Sequence, residues 1–218
     1  MTTRRKTIVA AGITAVAAVA VGGVATFVGR EAVTPSPTPS PSSPVASAAP
    51  LPTTTTQDPS SVSNVPADFV EYRDQKNGFA ISYPRNWEIL EAPADPQISL
   101  IAALNQRGSF LVRVVPLGLQ VGPKELPAMT SVTNQIVTSG QGIKVIAGPQ
   151  NVQVGGLPGY FYLYTFTDGG QKGAHSHYFL FKGDKMITLV FQAMPEDQFQ
   201  KQAPVFDQIA NSFRVLPN

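Results

Sequence analysis

Three near-continuous apolar runs close together in the chain constrain this fold most. Leu157–Phe166, His175–Lys182 and Lys185–Ala193 contain the blocks GYFYLYTF, YFLF and MITLVF. A strand exposed on one face alternates apolar and polar residues; a strand apolar at nearly every position is covered on both faces. Gly183-Asp184 joins the last two runs, and Asp168-Gly169-Gly170 precedes them. Connections this short make neighbouring strands antiparallel. The expected class is therefore α+β: an antiparallel sheet sandwiched between helices.

Other segments supply the remaining elements. Val70-Glu71-Tyr72-Arg73 leads into the turn signal Asn77-Gly78, and Phe79 to Tyr83 alternates until Pro84 stops it. Trp87-Glu88-Ile89 then resumes extended structure. Ile98–Leu104 and Phe110–Leu117 predict a hairpin about Gln106-Arg107-Gly108. Leu126, Met129, Thr133, Ile136 and Val137 recur at helical spacing, with Gly140 placed to end that helix. Phe199, Ala203, Phe206, Ile209, Ala210 and Phe213 form a second stripe. Pro204 interrupts it and predicts the start of the second of two short helices, since proline suits a first helical turn.

The amino-terminal third is built differently. Thr7–Val28 is a run of 22 residues without a charge, directly after Arg4-Arg5-Lys6. At about 1.5 Å per residue such a run spans the hydrocarbon core, and the basic flank stays cytoplasmic. The reading is a basic tail (1–6), a transmembrane anchor (7–28), a Pro/Ser/Thr-rich disordered linker (29–66) and one extracytoplasmic globular domain (67–218). A cleaved secretory signal is the competing reading, in which Ala46-Ser47-Ala48 fits a cleavage site and the domain is secreted. From Thr34 to Pro66 the only charge is Asp58, and large apolar residues are too few to offset the entropy of folding. The composition of this linker also suits O-glycosylation.

Charge and cysteine content exclude several functions. Residues 67–218 hold twelve Lys/Arg and twelve Asp/Glu, so there is no basic stripe for nucleic acid. The chain has no cysteine, which removes disulfides, thiolate metal sites and a lipidated cysteine after the apolar run. Nothing in the sequence specifies an oligomeric state or a cofactor.

The stretch from Tyr72 to Glu88, with its Gly78-Phe79 turn, its alternating strand and its Tyr83-Pro84 and Trp87 ending, resembles the opening of the PsbP-like domain. Gly155-Gly156-Leu157-Pro158-Gly159-Tyr160 resembles that family's next landmark, and Phe206-Asp207-Gln208-Ile209-Ala210-Asn211-Ser212-Phe213-Arg214 its closing helix. The resemblance covers nearly all of residues 67–218 and looks nearest to the LpqN/LpqT cell-envelope lipoproteins of actinobacteria. It implies an antiparallel sheet between helices and an adaptor without catalysis. The chain departs from those lipoproteins by using a membrane span in place of the lipidated cysteine. No catalytic residue is carried over, because the matching motifs are structural.

Candidate chemistry is sparse. His175 and His177 are the only histidines, and spacing of two in a strand puts both on one face. Two imidazoles make half a zinc site, which needs a third or fourth ligand such as Asp168 or Asp184. Ser176 points to the opposite face and does not join them. The known motifs of serine hydrolases, zinc peptidases and phosphate-binding loops do not occur. Glu196-Asp197 read as first-turn charges favoured by the helix dipole. Trp87, Tyr160, Tyr162 and Tyr164 are candidates to line an aromatic groove for a glycan, lipid or peptide. The expectation is a noncatalytic envelope binding or adaptor domain, held to the membrane through residues 7–28. An envelope hydrolase with a nonlocal carboxylate pair and a metal-handling protein using His175 and His177 are the alternatives.

Overall fold

The computed structural model describes residues 68–92, 94–104 and 108–217. The expected anchor at 7–28, the expected linker at 29–66 and positions 105–107 of the expected turn about Gln106-Arg107-Gly108 lie outside the described residues. Among the described residues no helix is long and apolar enough to cross a membrane.

The chain runs β1 (Phe69–Asp74), β2 (Phe79–Pro84), β3 (Glu88–Ile89), β4 (Ile98–Leu104), β5 (Gly108–Val121) and α1 (Leu126–Thr138). It continues with β6 (Lys144–Val154), β7 (Leu157–Asp168), β8 (Gln171–Ala193), α2 (Phe199–Asn211) and β9 (Arg214–Val215). The larger sheet has the order β3-β4-β5-β8-β7-β6 and the smaller β1-β2-β9, with every pairing antiparallel. The long β8 run doubles back on itself. Its first part pairs with β7 and its second with β5. His175 and Gln192 stand 17 residues apart, about 55 Å in a straight strand, yet their side chains meet at 2.7 Å. The reversal is at Gly183, whose φ of 60° suits glycine. This is the hairpin expected at Gly183-Asp184.

Alternation along the central strands creates two interiors. One holds Phe79, Ile81, Trp87, Phe110, Leu189, Phe191, Phe206, Ile209 and Phe213, filled from the small sheet and α2. Phe110 and Phe191 stack there at 5.9 Å, and Trp87 meets Phe206 edge-on at 6.3 Å. Each such side chain stabilises the fold by about 1.5–3 kcal/mol when buried. The other interior joins Tyr160, Tyr162, Tyr164, Phe179, Phe181 and Met186 to Met129 and Val137 of α1.

Three expectations are corrected. The first hairpin, β1-β2, forms a separate small sheet, so one face of the central sheet is covered by strands as well as a helix. Residues 199–211 are one helix with Pro204 inside it, preceded by a short 3-10 turn at Glu196–Gln198. Pro204 is exposed and removes one backbone donor near the helix start, which the buried Phe206, Ile209 and Ala210 outweigh. Helix α1 ends at Thr138 with Ser139 as its C-cap, so Gly140 is the first residue beyond the helix, as expected, and the Thr138 and Ser139 hydroxyls donate to the Asn134 and Ile136 carbonyls at 2.8 Å. Finally, β6 adds an edge strand where none was expected. Its sequence KVIAGPQNVQV is largely exposed, and register shifts flank Ala147 so that Pro149 sits at an irregularity of an edge.

Candidate functional site

Three tyrosines of β7, spaced by two, point to the same face and organise the α1 side. Tyr160 Oη donates to the Leu126 carbonyl at 2.8 Å. Tyr162 Oη lies 2.8 Å from Thr133 Oγ1, which itself donates to the Thr130 carbonyl at 3.1 Å. Tyr162 is therefore the donor to Thr133. The third hydroxyl, on Tyr164, stands 3.0 Å from both His175 Nδ1 and His177 Nε2.

The hydrogen bonds fix the tautomers of this cluster. His175 Nε2 donates to Gln192 Oε1 at 2.7 Å. A neutral His175 then has only a lone pair at Nδ1, so Tyr164 donates to it. The Tyr164 oxygen accepts from His177 Nε2–H, which leaves a lone pair on His177 Nδ1. That atom is buried without a hydrogen-bond partner, and so is Arg113 Nε on neighbouring β5. Arg113 Nη2 is paired with Asp95 at 2.8 Å.

Burial sets the electrostatics. Desolvation pulls His175 down to about 4, partly opposed by its bond to Gln192. Desolvation, then the nearby His175 and Arg113, hold His177 well below the ordinary histidine range. Desolvation also raises the Tyr164 phenol. All three groups are neutral at pH 7, and this set is a closed polar core.

The sequence candidates divide accordingly. His175, His177 and Tyr164 come together, with the imidazoles nearly parallel at 5.5 Å between ring centres. Asp168 and Asp184 sit at opposite ends of the β8 arm that carries the histidines. Among the described residues no group of three or more His, Cys, Asp or Glu could hold a metal ion. Ser176, opposite Leu163, lies on the other face. Trp87 packs in the α2-side core, across the sheet from Tyr160, Tyr162 and Tyr164, and all four are buried. The structure does not bring these aromatics into one groove.

An open depression of about 390 Å³ is lined by Gln171, Lys172, Pro195, Glu196 and Asp197. Its two carboxylates are exposed neighbours, and Asp197 accepts from Gln198 at 3.3 Å. Sequence reasoning missed Arg113 and Gln192, whose only signal is cross-strand register, and the exposed Val145 and Ile146 of β6.

A family model for PsbP matches residues 67–215. The chain belongs to the PsbP family, as the motifs between Tyr72 and Arg214 implied. Among solved structures it is similar to CyanoP, the PsbP of the cyanobacterium Synechocystis, at 18% identity over 71% of this chain and 97% of that one, with a TM-score of 0.51. It is similar to a Bacteroides thetaiotaomicron protein at 12% identity over 70% of this chain and 50% of that one, TM-score 0.50. LpqN of Mycobacterium tuberculosis, described as involved in cell envelope biogenesis, is also a neighbour: 11% identity, 73% and 87% coverage, TM-score 0.42. Likeness at these identities concerns the fold alone. No curated protein matches the sequence.

Proposed function

We propose that this chain is a membrane-anchored, extracytoplasmic domain of the cell envelope that binds a protein partner and carries out no catalysis. The β6 edge carries this reading. β6 has β7 on one side only, and it exposes Val145 and Ile146 at 37% and 56%. The other outer strands bear charges that discourage pairing: Glu71 and Arg73 on β1, Glu88 on β3, Arg214 on β9. From Leu126 to Thr167, which spans α1, β6 and most of β7, the only charge is Lys144. An edge whose one charge stands at its first residue, Lys144, suits an extended segment of another protein, added as a further strand. The membrane part rests on Thr7–Val28 and its basic flank.

Two measurements test the reading. Partners cross-linked to the full-length protein in cells are compared with those of Val145→Lys and Ile146→Lys. The variants are expected to lose a specific protein and keep the thermal midpoint, since both sites are exposed. A partner retained by both variants rules out the edge. Intact mass of the mature membrane protein is expected to include residues 7–28; a chain starting near Ala49 rules out the anchor.

A further inference from the structure

With both histidines neutral, the hydrogen bonds around Tyr164 leave one buried lone pair, on His177 Nδ1, and no buried charge. If His175 Nδ1 gains a proton, Tyr164 can no longer donate to it, and its hydrogen must turn to His177 Nε2. That leaves His177 Nδ1–H as a buried donor. If His177 Nδ1 gains the proton directly, the charge forms in the neighbourhood of Arg113. The titratable and charged groups facing the pair are few. β7 offers the Tyr164 phenol. β5 offers the Arg113 cation, with Asp95 bound to its Nη2. The returning arm of β8 offers neutral Gln192. Helix α1 has no charged residue at all. A proton on His177 meets the Arg113 cation, and neither imidazole has a carboxylate in contact among the described residues.

The same cluster sits beneath the helix that packs on the smaller core. Tyr164 shares its interior with Val137 of α1 and with Ile143. Helix α1 buries Met129, Thr133 and Val137 against the smaller of the two cores. Its specific ties are the Tyr160 and Tyr162 hydroxyls, on the strand that carries Tyr164. Helix α2, on the opposite face, sends Phe206, Ile209 and Ala210 into the larger core. Segments with few buried contacts open first.

We propose that Tyr164, His175 and His177 form an acid-operated latch: protonation of the pair releases α1 and the adjoining β6–β7 margin while the α2 side stays folded. The latch is independent of what binds at β6. The direction follows from linkage. In the closed form His175 titrates at about 4 and His177 well below the ordinary value, against 6.5 when open. The closed form is fully favoured above about pH 6.5 and loses its advantage as pH falls toward 4, by up to about tenfold per pH unit for each histidine.

Hydrogen exchange of the full-length protein, corrected for the intrinsic pH dependence of exchange, tests this. Between pH 7.5 and pH 4.5 protection over residues 126–138 and 144–154 is expected to fall by up to roughly a hundredfold for each histidine. Residues 79–84 and 199–211 should change far less, and Trp87 emission should hold. The double substitution His175→Asn with His177→Gln keeps a hydrogen-bonding group at each ring position and removes the titration, so the fall should vanish. The proposal is overturned if the double variant shows the same fall. It is also overturned if all segments lose protection together at one pH. Should the variant not fold, NMR titration of the two imidazoles in the unaltered protein decides. Depressed midpoints that coincide with loss of the α1 signals support the latch; midpoints near 6.5 with α1 intact overturn it.

Discussion

Thr133 of α1 and Tyr162 of β7 share a 2.8 Å hydrogen bond, and neither residue exposes any surface. The bond crosses the interface between helix and sheet, so its strength reports how firmly α1 is docked. Thr133 keeps its second bond, to the Thr130 carbonyl, when the tyrosine hydroxyl is removed. Tyr162→Phe is therefore expected to cost about 1 kcal/mol. Combined with Thr133→Val in a double-mutant cycle, a coupling of about 0.5–1.5 kcal/mol is expected from urea unfolding. Additive losses would show that the hydroxyls do not act as a pair.

Tyr164→Phe should be more damaging than Tyr160→Phe. The Tyr164 hydroxyl is partner to both His175 and His177, which are nearly fully buried. Removing it leaves two ring nitrogens unpaired in the core, at about 1–3 kcal/mol for each. Tyr160 serves one carbonyl at the start of α1, whose loss costs about 1 kcal/mol. Equilibrium unfolding of the two variants at pH 7.5 gives the comparison. Equal losses would contradict this hydrogen-bond assignment.

The sequence reveals part of this arrangement. His175, His177 and the three tyrosines are legible as residues sharing faces of adjacent apolar strands, because strand periodicity is independent of partners. Gly183-Asp184 is legible as a reversal for the same local reason. Arg113 and Gln192 are not, since their place beside the histidines follows from how β5 and the two arms of β8 align across the sheet. The separation of β1 and β2 into a second sheet is equally hidden, as an alternating strand looks the same in either. β6 is hidden because an edge strand needs few apolar residues, and Gly148-Pro149 reads locally as a loop. Pro204 misled in the opposite direction, because the buried stripe around it outweighs one missing donor.

Zinc should bind only weakly. His175 Nδ1 and His177 Nε2 both face Tyr164, and His175 Nε2 is held by Gln192. A metal must displace these bonds in a closed interior, and no acidic residue completes the ligand set among the described residues. Calorimetric titration of zinc into the full-length protein is expected to show no site tighter than micromolar. Submicromolar binding abolished by His175→Ala or His177→Ala would promote metal handling from an alternative to the leading function.

Gly159 is where one added methyl should do most damage. It sits in β7 opposite Leu180 of β8. A Cβ there would come within 2.1 Å of the Phe179 carbonyl oxygen and 3.1 Å of the Leu180 Cα. These are backbone atoms of the paired strand, so no side-chain rotation relieves the clash. Gly159→Ala must spread β7 from β8 at the strand pair that carries the tyrosines and histidines. The expected loss is at least about 1–3 kcal/mol, the range for overpacking a core. Gly170→Ala, at the β7–β8 turn, is the matched control. Gly170 has φ of 82° but no atom within 4 Å of an added Cβ, so its cost is backbone strain of about 1–2 kcal/mol. Thermal unfolding should rank Gly159→Ala as the less stable of the two, and its Tyr164–histidine hydrogen bonds should weaken, whereas Gly170→Ala should leave them intact. The reverse ranking would mean that β7 and β8 are not packed as closely as their backbone contact here requires.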